Sequence, residues 1–373
     1  MRRETLAVHS GGEVDRSTGA IAPPLSLSTT FEHAPSYEAA QGFHYIRDGN
    51  PIQTRLETAL ADLEGGGASV VFGSGMAAAA AALQSLPRGS HVLFATDIYH
   101  ALRTLARDFL PHWGIDSSFA DLTDLDAAAG ALRPATKLVW AETPSNPLLQ
   151  ILDLRKLSDL AHRSGAQLLV DNTFATPILQ QPISLGADWV LHSTTKYCGG
   201  HSDVQGGALV GKSHESVVPL QQIRRVLGAV GSPFNSWLIL RGLRTLAVRM
   251  PQHSANAMAI VTAFEGAPGV EAIHYPGLAA HPGHEVARQQ MSAFGGMLSL
   301  RVRGGRTAAL KVAGRVKLFV NATSLGGVES LIEHRASAEG PDSTTPQNLL
   351  RLSVGLEHPE DLIDDLRQAL QGT

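Results

Sequence analysis

Lys196 lies in a chemically unusual stretch of the chain, residues 191–203. Three small hydroxyl residues precede it, a glycine pair follows shortly after it, and the apolar run 189–191 leads into it. A lysine amine forms a Schiff base with an aldehyde, most readily when burial or a nearby positive charge lowers its pKa. The hydroxyls of Ser193 and Thr195 are suited to hydrogen-bonding a phosphate. The stretch predicts a covalent anchor beside an anion site, although an ordinary solvated lysine is the commoner case.

A glycine turn earlier in the chain has the form of a phosphate cradle. The run 69–72 predicts a strand, residues 73–76 form a Gly-Ser-Gly-Met turn that contains Gly75 and Met76, and an alanine-rich helix is predicted over 77–86. Backbone N–H groups at such a turn point at an anion, and the helix dipole assists. The same turn is also an ordinary loop, so its signal is weak alone. It matches neither the dinucleotide fingerprint nor the P-loop.

The elements that must position these groups alternate between strands and helices. Apolar runs at 91–94, 138–141 and 167–170 predict buried parallel strands, with helical patterns between them. This order predicts a doubly wound α/β domain, in which ligands bind at the carboxyl ends of the strands. The polar features that follow predicted strand ends are the Gly75 turn, Tyr99, Asn146, Asp171 and Lys196. We expect them to converge on one crevice.

The two ends of the chain differ from this central part. Residues 1–50 are rich in Pro, Ser, Thr and Gly and predict an extended arm that needs a partner surface. Residues 51–245 predict a large domain, and 246–373 a smaller one. In that last part, Arg351 is an isolated charge inside an apolar strand-like run. A buried arginine needs an anionic partner, which is either a ligand or a structural salt bridge.

Composition limits the function classes. The chain has 373 residues, a hydrophobic fraction of 43%, a charged fraction of 17% and a net charge of −4, which is typical of a folded protein that acts on small molecules. There is no basic stripe for nucleic acid or a membrane surface. The single cysteine excludes an internal disulfide and a cysteine-rich metal site, and we predict no metal. The chain start lacks the apolar core of a signal peptide, which predicts a cytoplasmic protein.

Together these groups match the needs of pyridoxal phosphate. A lysine can hold the cofactor aldehyde, a carboxylate at the neighbouring strand end can keep the ring nitrogen protonated, and a helix start can hold the phosphate. The candidates for these three tasks are Lys196, Asp171 and the Gly75 turn. A tyrosine such as Tyr99 can stack on the ring.

The same residues resemble the Cys/Met-metabolism family of pyridoxal-phosphate enzymes, the transsulfuration group, over essentially the whole chain. The specific motifs are Glu-Thr-Pro-Ser-Asn-Pro at 142–147, Asp-Asn-Thr-Phe at 171–174, Ser-Thr-Thr-Lys-Tyr at 193–197, Gly-His-Ser-Asp at 200–203 and Arg-Leu-Ser-Val-Gly at 351–355. The resemblance implies the aspartate-aminotransferase-like fold, with a mostly parallel sheet and a smaller C-terminal α/β domain. It also implies a homo-oligomer, usually a tetramer of two dimers.

The resemblance further implies a role for each motif residue. Lys196 and Tyr99 would be catalytic, and Arg351, Ser324 and Asn146 would bind the substrate. The residues implied to bind the cofactor are Gly75, Met76, Asp171, Thr173, Ser193, Thr195, Asn146, Tyr45 and Arg47. Of these, Tyr45 and Arg47 would lie on the arm and reach the phosphate of the neighbouring subunit.

Two departures from the family pattern bear on the substrate. Thr323 stands where γ-lyases and γ-synthases often carry glutamate. The segment 333–340 replaces a longer loop that usually contains Thr-His. Its basic residues can meet the distal end of a substrate, but we expect a solvated loop.

The function implied is elimination from cystathionine or a related sulfur amino acid, a carbon–sulfur lyase resembling cystathionine γ-lyase. The alternative is γ-replacement, in which an O-acylhomoserine and cysteine give cystathionine, because both reactions share their first steps. A nucleotide-binding oxidoreductase on a similar α/β sheet is a more remote alternative.

Overall fold

The computed structural model describes residues 1–341 and 343–372. Its secondary structure is organised as one sheet of seven strands and one of five, with helices packed on both. Within the described residues, no helix has the length and apolar character needed to cross a membrane.

Strands and helices alternate through most of the chain. The strands are β1 (Ala68–Phe72), β2 (His91–Ala95), β3 (Asp116–Ala120), β4 (Thr136–Glu142), β5 (Gln167–Asp171), β6 (Trp189–His192), β7 (Gly207–Gly211), β8 (Val270–His274), β9 (Met297–Val302), β10 (Val320–Asn321), β11 (Leu331–His334) and β12 (Leu349–Ser353). The helices are α1 (Arg3–His9), α2 (Pro51–Glu64), α3 (Gly75–Gln84), α4 (His100–Asp108), α5 (Leu110–Trp113), α6 (Leu125–Ala131), α7 (Leu154–Arg163), α8 (Thr176–Leu179), α9 (His214–Leu227), α10 (Pro233–Leu243), α11 (Leu246–Phe264), α12 (His284–Gln290), α13 (Gly305–Arg315), α14 (Arg335–Glu339) and α15 (Pro359–Leu370). A short 3-10 helix covers Pro182–Leu185.

The seven-stranded sheet has the order β1-β7-β6-β5-β4-β2-β3. Strands β3, β2, β4, β5 and β6 pair in parallel, whereas β7 runs antiparallel to both β6 and β1. The predicted α/β class with a mostly parallel sheet is confirmed. Strand β7 lies inside the sheet, between β1 and β6. Side chains that follow β1, β2, β4, β5 and β6 therefore meet at one edge of the sheet.

Local signals explain how α2 and α3 begin and end. Asn50 caps α2 by accepting the N–H of Ile52 at 3.0 Å, and Gly65 ends that helix in the left-handed region at φ +70°. Ser74 caps α3 in the same way, accepting the N–H of Ala77 at 3.0 Å. Because α3 is rich in alanine, its backbone packs close to the sheet beside β7. The start of α3 is thereby fixed at the strand edge.

The five-stranded sheet has the order β10-β11-β12-β9-β8 and is antiparallel except for the short β10–β11 pair. All its strands follow the boundary predicted near residue 245, and α11 begins directly after that boundary. The strand predicted around Arg351 is β12, and all five of its residues are buried. The division into 1–50, 51–245 and 246–373 stays a prediction, and Thr373 lies outside the described residues.

The loop that follows β10 packs directly on the residues after Lys196. Leu325 is buried in the same apolar cluster as Tyr197 and Cys198. Gly326 has φ +78°, and a Cβ there would lie 2.7 Å from the backbone nitrogen of Tyr197. Only glycine permits so close an approach in that conformation. The C-terminal sheet is thereby held against the lysine turn.

The N-terminal arm has little regular structure of its own. Beyond α1, residues 10–50 form only isolated bridges, such as Thr30 with Tyr45, in agreement with the predicted extended arm. The arm is tied to α10 where the indole Nε1 of Trp237 donates to the carbonyl of Pro23 at 3.0 Å.

Asp365 on α15 fixes the chain that leads into β10 and its loop. Its carboxylate accepts the backbone N–H groups of Lys317, Leu318 and Phe319 at 2.7, 2.8 and 3.1 Å. Burial alone would raise the pKa of Asp365, but these hydrogen bonds outweigh burial and lower the pKa below its ordinary value of 3.8.

We predict that Asp365→Ala lowers the free energy of unfolding by about 2–4 kcal/mol, because three backbone donors lose a charged acceptor. The control Asp364→Ala removes an exposed carboxylate that pairs with Arg367, and changes stability by less than about 1 kcal/mol. Urea denaturation measures both. The carboxylate of Asp365 contributes fully above its unfolded pKa, so the wild-type advantage fades as the pH falls through the lowered folded pKa. Equal losses in the two variants would contradict this prediction.

Candidate active site

A cavity of about 240 Å³ lies where the strand ends of the large sheet face the loop after β10. The structure brings together in its wall the five features that follow strand ends and the C-terminal residues predicted to accompany them. The predicted residues that line it are Gly75, Met76, Tyr99, Asn146, Asp171, Thr173, Ser193, Thr195, Lys196, Ser324 and Arg351.

Lys196 is half-buried in this cavity, and its Nζ donates to the hydroxyl of Ser324 at 2.8 Å. Burial lowers the pKa of Lys196 to about 8, helped by the positive charge of Arg351 and opposed by the carboxylate of Glu333. Lys196 therefore loses its proton much nearer neutral pH than an ordinary lysine does. This is the property that a lysine nucleophile or base requires.

Ser324 connects Lys196 to Arg351. Its φ of +81° lies in the left-handed region, which is uncommon for a residue with a side chain and is concentrated at functional sites. Its carbonyl accepts one terminal nitrogen of Arg351 at 2.8 Å, and the other terminal nitrogen donates to Oδ1 of Asn146 at 3.1 Å. Lys196, Ser324, Arg351 and Asn146, all predicted site residues, thus form one continuous hydrogen-bonded network.

Asp171 is the last residue of β5 and is fixed by Thr173. The backbone N–H of Thr173 donates to Oδ1 of Asp171 at 3.0 Å, and the Thr173 hydroxyl accepts the N–H of Ser193 at 2.8 Å. Burial raises the pKa of Asp171 above its ordinary value, and the hydrogen bonds from Thr173 oppose that rise. A cationic partner in the cavity would stabilise this carboxylate in its charged form.

Glu142 is a site residue whose role the sequence did not reveal. It ends β4 directly beside Asp171 in the parallel register, and its Oε2 accepts the N–H of Tyr99 at 2.8 Å. Burial and then the neighbouring Asp171 charge raise the pKa of Glu142 well above its ordinary value. The ends of β4 and β5 therefore carry two adjacent carboxyl groups of raised pKa, of which Glu142 is buried and Asp171 is half-buried.

The start of α3 and the lysine turn enclose a small cradle. A Cβ at Gly75 would lie 2.9 Å from Cβ and 3.1 Å from Oγ of Ser193, so a larger side chain would fill that space. Hydroxyl groups and a helix N-terminus at one point suit an anion such as a phosphate. The hydroxyl of Thr195 lines the cavity while hydrogen-bonded to both the N–H and the carbonyl of Gly206 at 3.1 Å.

The expectation of a solvated loop at 333–340 is wrong. Glu333 and Arg335 are 6% and 5% exposed, and Arg335 lines the cavity. One oxygen of Glu333 accepts Arg351 at 2.7 Å and Arg335 at 2.9 Å, and Glu339 accepts Arg335 at 2.9 Å. The two carboxylates, Glu333 and Glu339, pair with the two arginines, Arg335 and Arg351. This pairing explains why these charged side chains are buried. Helix α14 occupies residues 335–339 of this segment.

Tyr45 and Arg47 do not reach this cavity. Tyr45 is 41% exposed on the arm, and the guanidinium of Arg47 lies 5.0 Å from its ring centroid. Their predicted contribution to the phosphate site of a neighbouring subunit stays a prediction, since it concerns a second chain.

The fold and the cavity are those of an α/β enzyme, in which a lysine of lowered pKa shares one cavity with an anion cradle and the carboxylate of Asp171. The family model for Cys/Met metabolism PLP-dependent enzymes matches residues 4–371. The chain is 47% identical to cystathionine gamma-synthase of Mycobacterium leprae over 98% of its own length and 96% of the relative. It is 43% identical to cystathionine beta-lyase of Lactococcus lactis subsp. cremoris over 99% and 98% of the two chains.

A solved structure agrees with these relatives. Cystathionine gamma synthase from Xanthomonas oryzae pv. oryzae, in complex with cystathionine, superposes with a TM-score of 0.96 at 42% identity, covering 99% of this chain and 98% of that one. The chain belongs to the Cys/Met metabolism family of PLP-dependent enzymes, and its cofactor is pyridoxal phosphate. The nucleotide-binding oxidoreductase alternative has no support left.

The residues of the cavity fit this cofactor. The start of α3 at Gly75 and the hydroxyl of Ser193 line the cavity and offer donors to a phosphate. Asp171 offers a carboxylate to a protonated ring nitrogen, and Lys196 offers an amine of lowered pKa to an aldehyde.

We predict that Gly75→Ala weakens pyridoxal-phosphate binding by on the order of 10-fold, because the added methyl enters the space beside Ser193. The control Gly130→Ala places a methyl in α6 with no atom within 4 Å, and leaves cofactor affinity unchanged. Titrating each apoprotein with the cofactor while following visible absorbance gives both dissociation constants. Equal affinity in the two variants would remove Gly75 from the cradle.

Proposed function

We propose that the protein is a pyridoxal-phosphate-dependent carbon–sulfur lyase of transsulfuration, which eliminates from cystathionine or a related sulfur amino acid. The observation that carries the proposal is Lys196, an amine of lowered pKa that shares a hydrogen-bonded network with Arg351. An amino-acid substrate brings a carboxylate to the arginine and its α-carbon to the lysine.

Arg351 would hold the substrate α-carboxylate. Its guanidinium is completely enclosed, and burial lowers its pKa to about 10, which leaves it charged at neutral pH. Asn146 and the Ser324 carbonyl fix its orientation through two hydrogen bonds. A planar guanidinium held in this way suits bidentate recognition of a carboxylate.

Lys196 would move the protons. With the cofactor and substrate bound, the free amine of Lys196 would accept the proton from the substrate α-carbon and return a proton to the leaving sulfur. The cofactor, when bound, accepts the electrons that the α-carbon releases. Asp171 would keep the ring nitrogen protonated, and Tyr99 would lie against the ring and assist proton transfer. The remaining cofactor contacts would come from Gly75, Met76, Thr173, Ser193, Thr195 and Asn146.

A γ-replacement reaction is the second candidate. Relatives at 46–47% identity carry the name cystathionine gamma-synthase. The same lysine, aspartate and arginine serve both reactions, since elimination and replacement share their first proton transfers. The two reactions differ in whether cysteine leaves or enters.

The assembly and the compartment belong to the same proposal. The arm carries Tyr45 and Arg47 on its exposed surface, where they would reach the phosphate site of a second subunit in a homotetramer. An amino-acid substrate suits a cytoplasmic enzyme.

Two assays test the proposal. We expect the purified holoenzyme to release a 2-oxo acid from cystathionine alone, measured by a coupled dehydrogenase. Lys196→Ala abolishes this release, whereas Lys156→Ala removes a lysine that pairs with Asp153 at the surface and retains it. If the enzyme gives no 2-oxo acid but makes cystathionine from an O-acylhomoserine and cysteine, the protein is a γ-synthase. Turnover that survives Lys196→Ala would exclude Lys196 from the mechanism.

A further inference from the structure

We propose that Arg335 recognises a second carboxylate, at the distal end of the substrate, and so selects the substrate class. The inference rests on the proposed function, because it assumes an amino acid whose α-carboxylate occupies Arg351. It adds a specificity residue to that site.

Arg335 has the burial and the position that this role requires. It is the first residue of α14, its side chain is 6% exposed, and it lines the same cavity as Lys196 and Arg351. A cation in the wall of a ligand cavity is available to a ligand in a way that a cation within the core is not.

The guanidinium of Arg335 lies beside that of Arg351. Both bond the same carboxylate oxygen of Glu333, at 2.9 and 2.7 Å. In the proposed binding mode, a substrate whose first carboxylate reaches Arg351 has Arg335 in the adjoining wall of the same cavity.

The carboxylates already bound leave donors of Arg335 unused. An arginine carries five N–H donors, and here one terminal nitrogen donates to Glu333 and the other to Glu339. The Nε–H is buried and has no hydrogen-bond partner among the residues that the structure describes. An unsatisfied buried donor is costly, and a carboxylate oxygen is the acceptor that an arginine binds best.

Glu339 holds Arg335 in place rather than filling the cavity. Its second oxygen accepts the hydroxyls of Ser343 and Thr345, at 2.6 and 2.7 Å, on the side of the chain that follows α14. Hydrogen bonds to Ser343 and Thr345 and the charge of Arg335 outweigh burial and lower the pKa of Glu339. The arginine is thus fixed before any substrate arrives, which reduces the entropic cost of binding.

The acidic side chains of the cavity do not compete for this end of the substrate. Among the described residues that line the cavity, the carboxyl groups are Glu142 and Asp171, at the strand ends. Thr323 also lines it and is uncharged. The wall near Arg335 therefore offers guanidinium donors to the distal group with no further carboxylate of the described chain lining the cavity beside them, and a carboxylate is favoured there over a neutral group.

Two kinds of substrate carry such a carboxylate. It belongs either to the acyl group of a homoserine ester or to the second amino-acid end of a thioether. The matched pairs are O-succinylhomoserine with O-acetylhomoserine, and cystathionine with S-(2-aminoethyl)homocysteine, which keeps the distal amine and lacks the carboxylate.

The test is the ratio of kcat/KM within each pair, in which the fraction of active enzyme cancels. We expect Arg335→Gln to lower the ratio of carboxylate to non-carboxylate substrate on the order of 10- to 100-fold, mostly through KM. Arg335→Lys keeps the positive charge that pairs with Glu333 and Glu339, so this variant is expected to fold even if Arg335→Gln does not. It lowers the ratio by a smaller factor than Arg335→Gln. The control Arg306→Gln removes an exposed arginine that bonds Ser337 on the same helix, and leaves the ratio at the wild-type value.

The outcomes separate the two proposals. A ratio that falls only for the esters assigns the carboxylate to the acyl group, and one that falls only for the thioethers assigns it to the amino-acid end. Ratios that stay constant in both pairs, with all rates reduced together, would show a purely structural arginine and overturn the inference. Absence of turnover in the wild type would contradict the proposed function instead, and dissociation constants from calorimetry with the thioether pair then test Arg335 independently.

Discussion

The hydrogen bond between Lys196 and Ser324 is the contact on which the site depends. It joins the lysine turn of the large sheet to the loop after β10, and the same serine carries the carbonyl that orients Arg351. Gly326 lets this loop approach the backbone of Tyr197 closely enough for the bond to form. The left-handed conformation of Ser324 is maintained by contacts on both sides. Without this junction, the lysine and the arginine would belong to separate surfaces.

The cavity is lined by groups of both charge signs. The carboxyl groups lie at the ends of β4 and β5, and the cations are Lys196, Arg351 and Arg335. Burial disfavours the charged form of each group, so it lowers the pKa of Lys196 and raises that of Asp171. A ligand that carries both a cationic ring and carboxylates satisfies both sets of groups at once.

Much of the site could be predicted because its residues follow strong local patterns. Lys196, Asp171 and Gly75 each come directly after an apolar strand, and parallel strands bring such positions to one edge. The bounds of β5 were predicted within a residue for the same reason, since its continuous apolar run is clear. The family resemblance added Arg351 and Ser324, whose meeting with Lys196 depends on packing between the sheets.

The rest could not be predicted because it depends on tertiary contacts. Strand β3 has mostly half-exposed and exposed residues and a short polar sequence, so it carries little strand signal. Arg335 begins a five-residue helix that has no usable periodicity, and its burial follows from pairing with Glu333 and Glu339. Glu142 was visible in its motif, but its role emerged only from its register beside Asp171.

The central claim is that this junction makes Lys196 an amine of lowered pKa, and the uptake of pyridoxal phosphate by the apoprotein tests it most directly. The initial rate, followed by visible absorbance across a pH series, depends on the neutral fraction of the amine. The structure predicts a rate that rises with pH, reaches half its maximum near pH 8 and then levels off. A rate that continues to rise toward the ordinary lysine value of 10.5 would contradict the account.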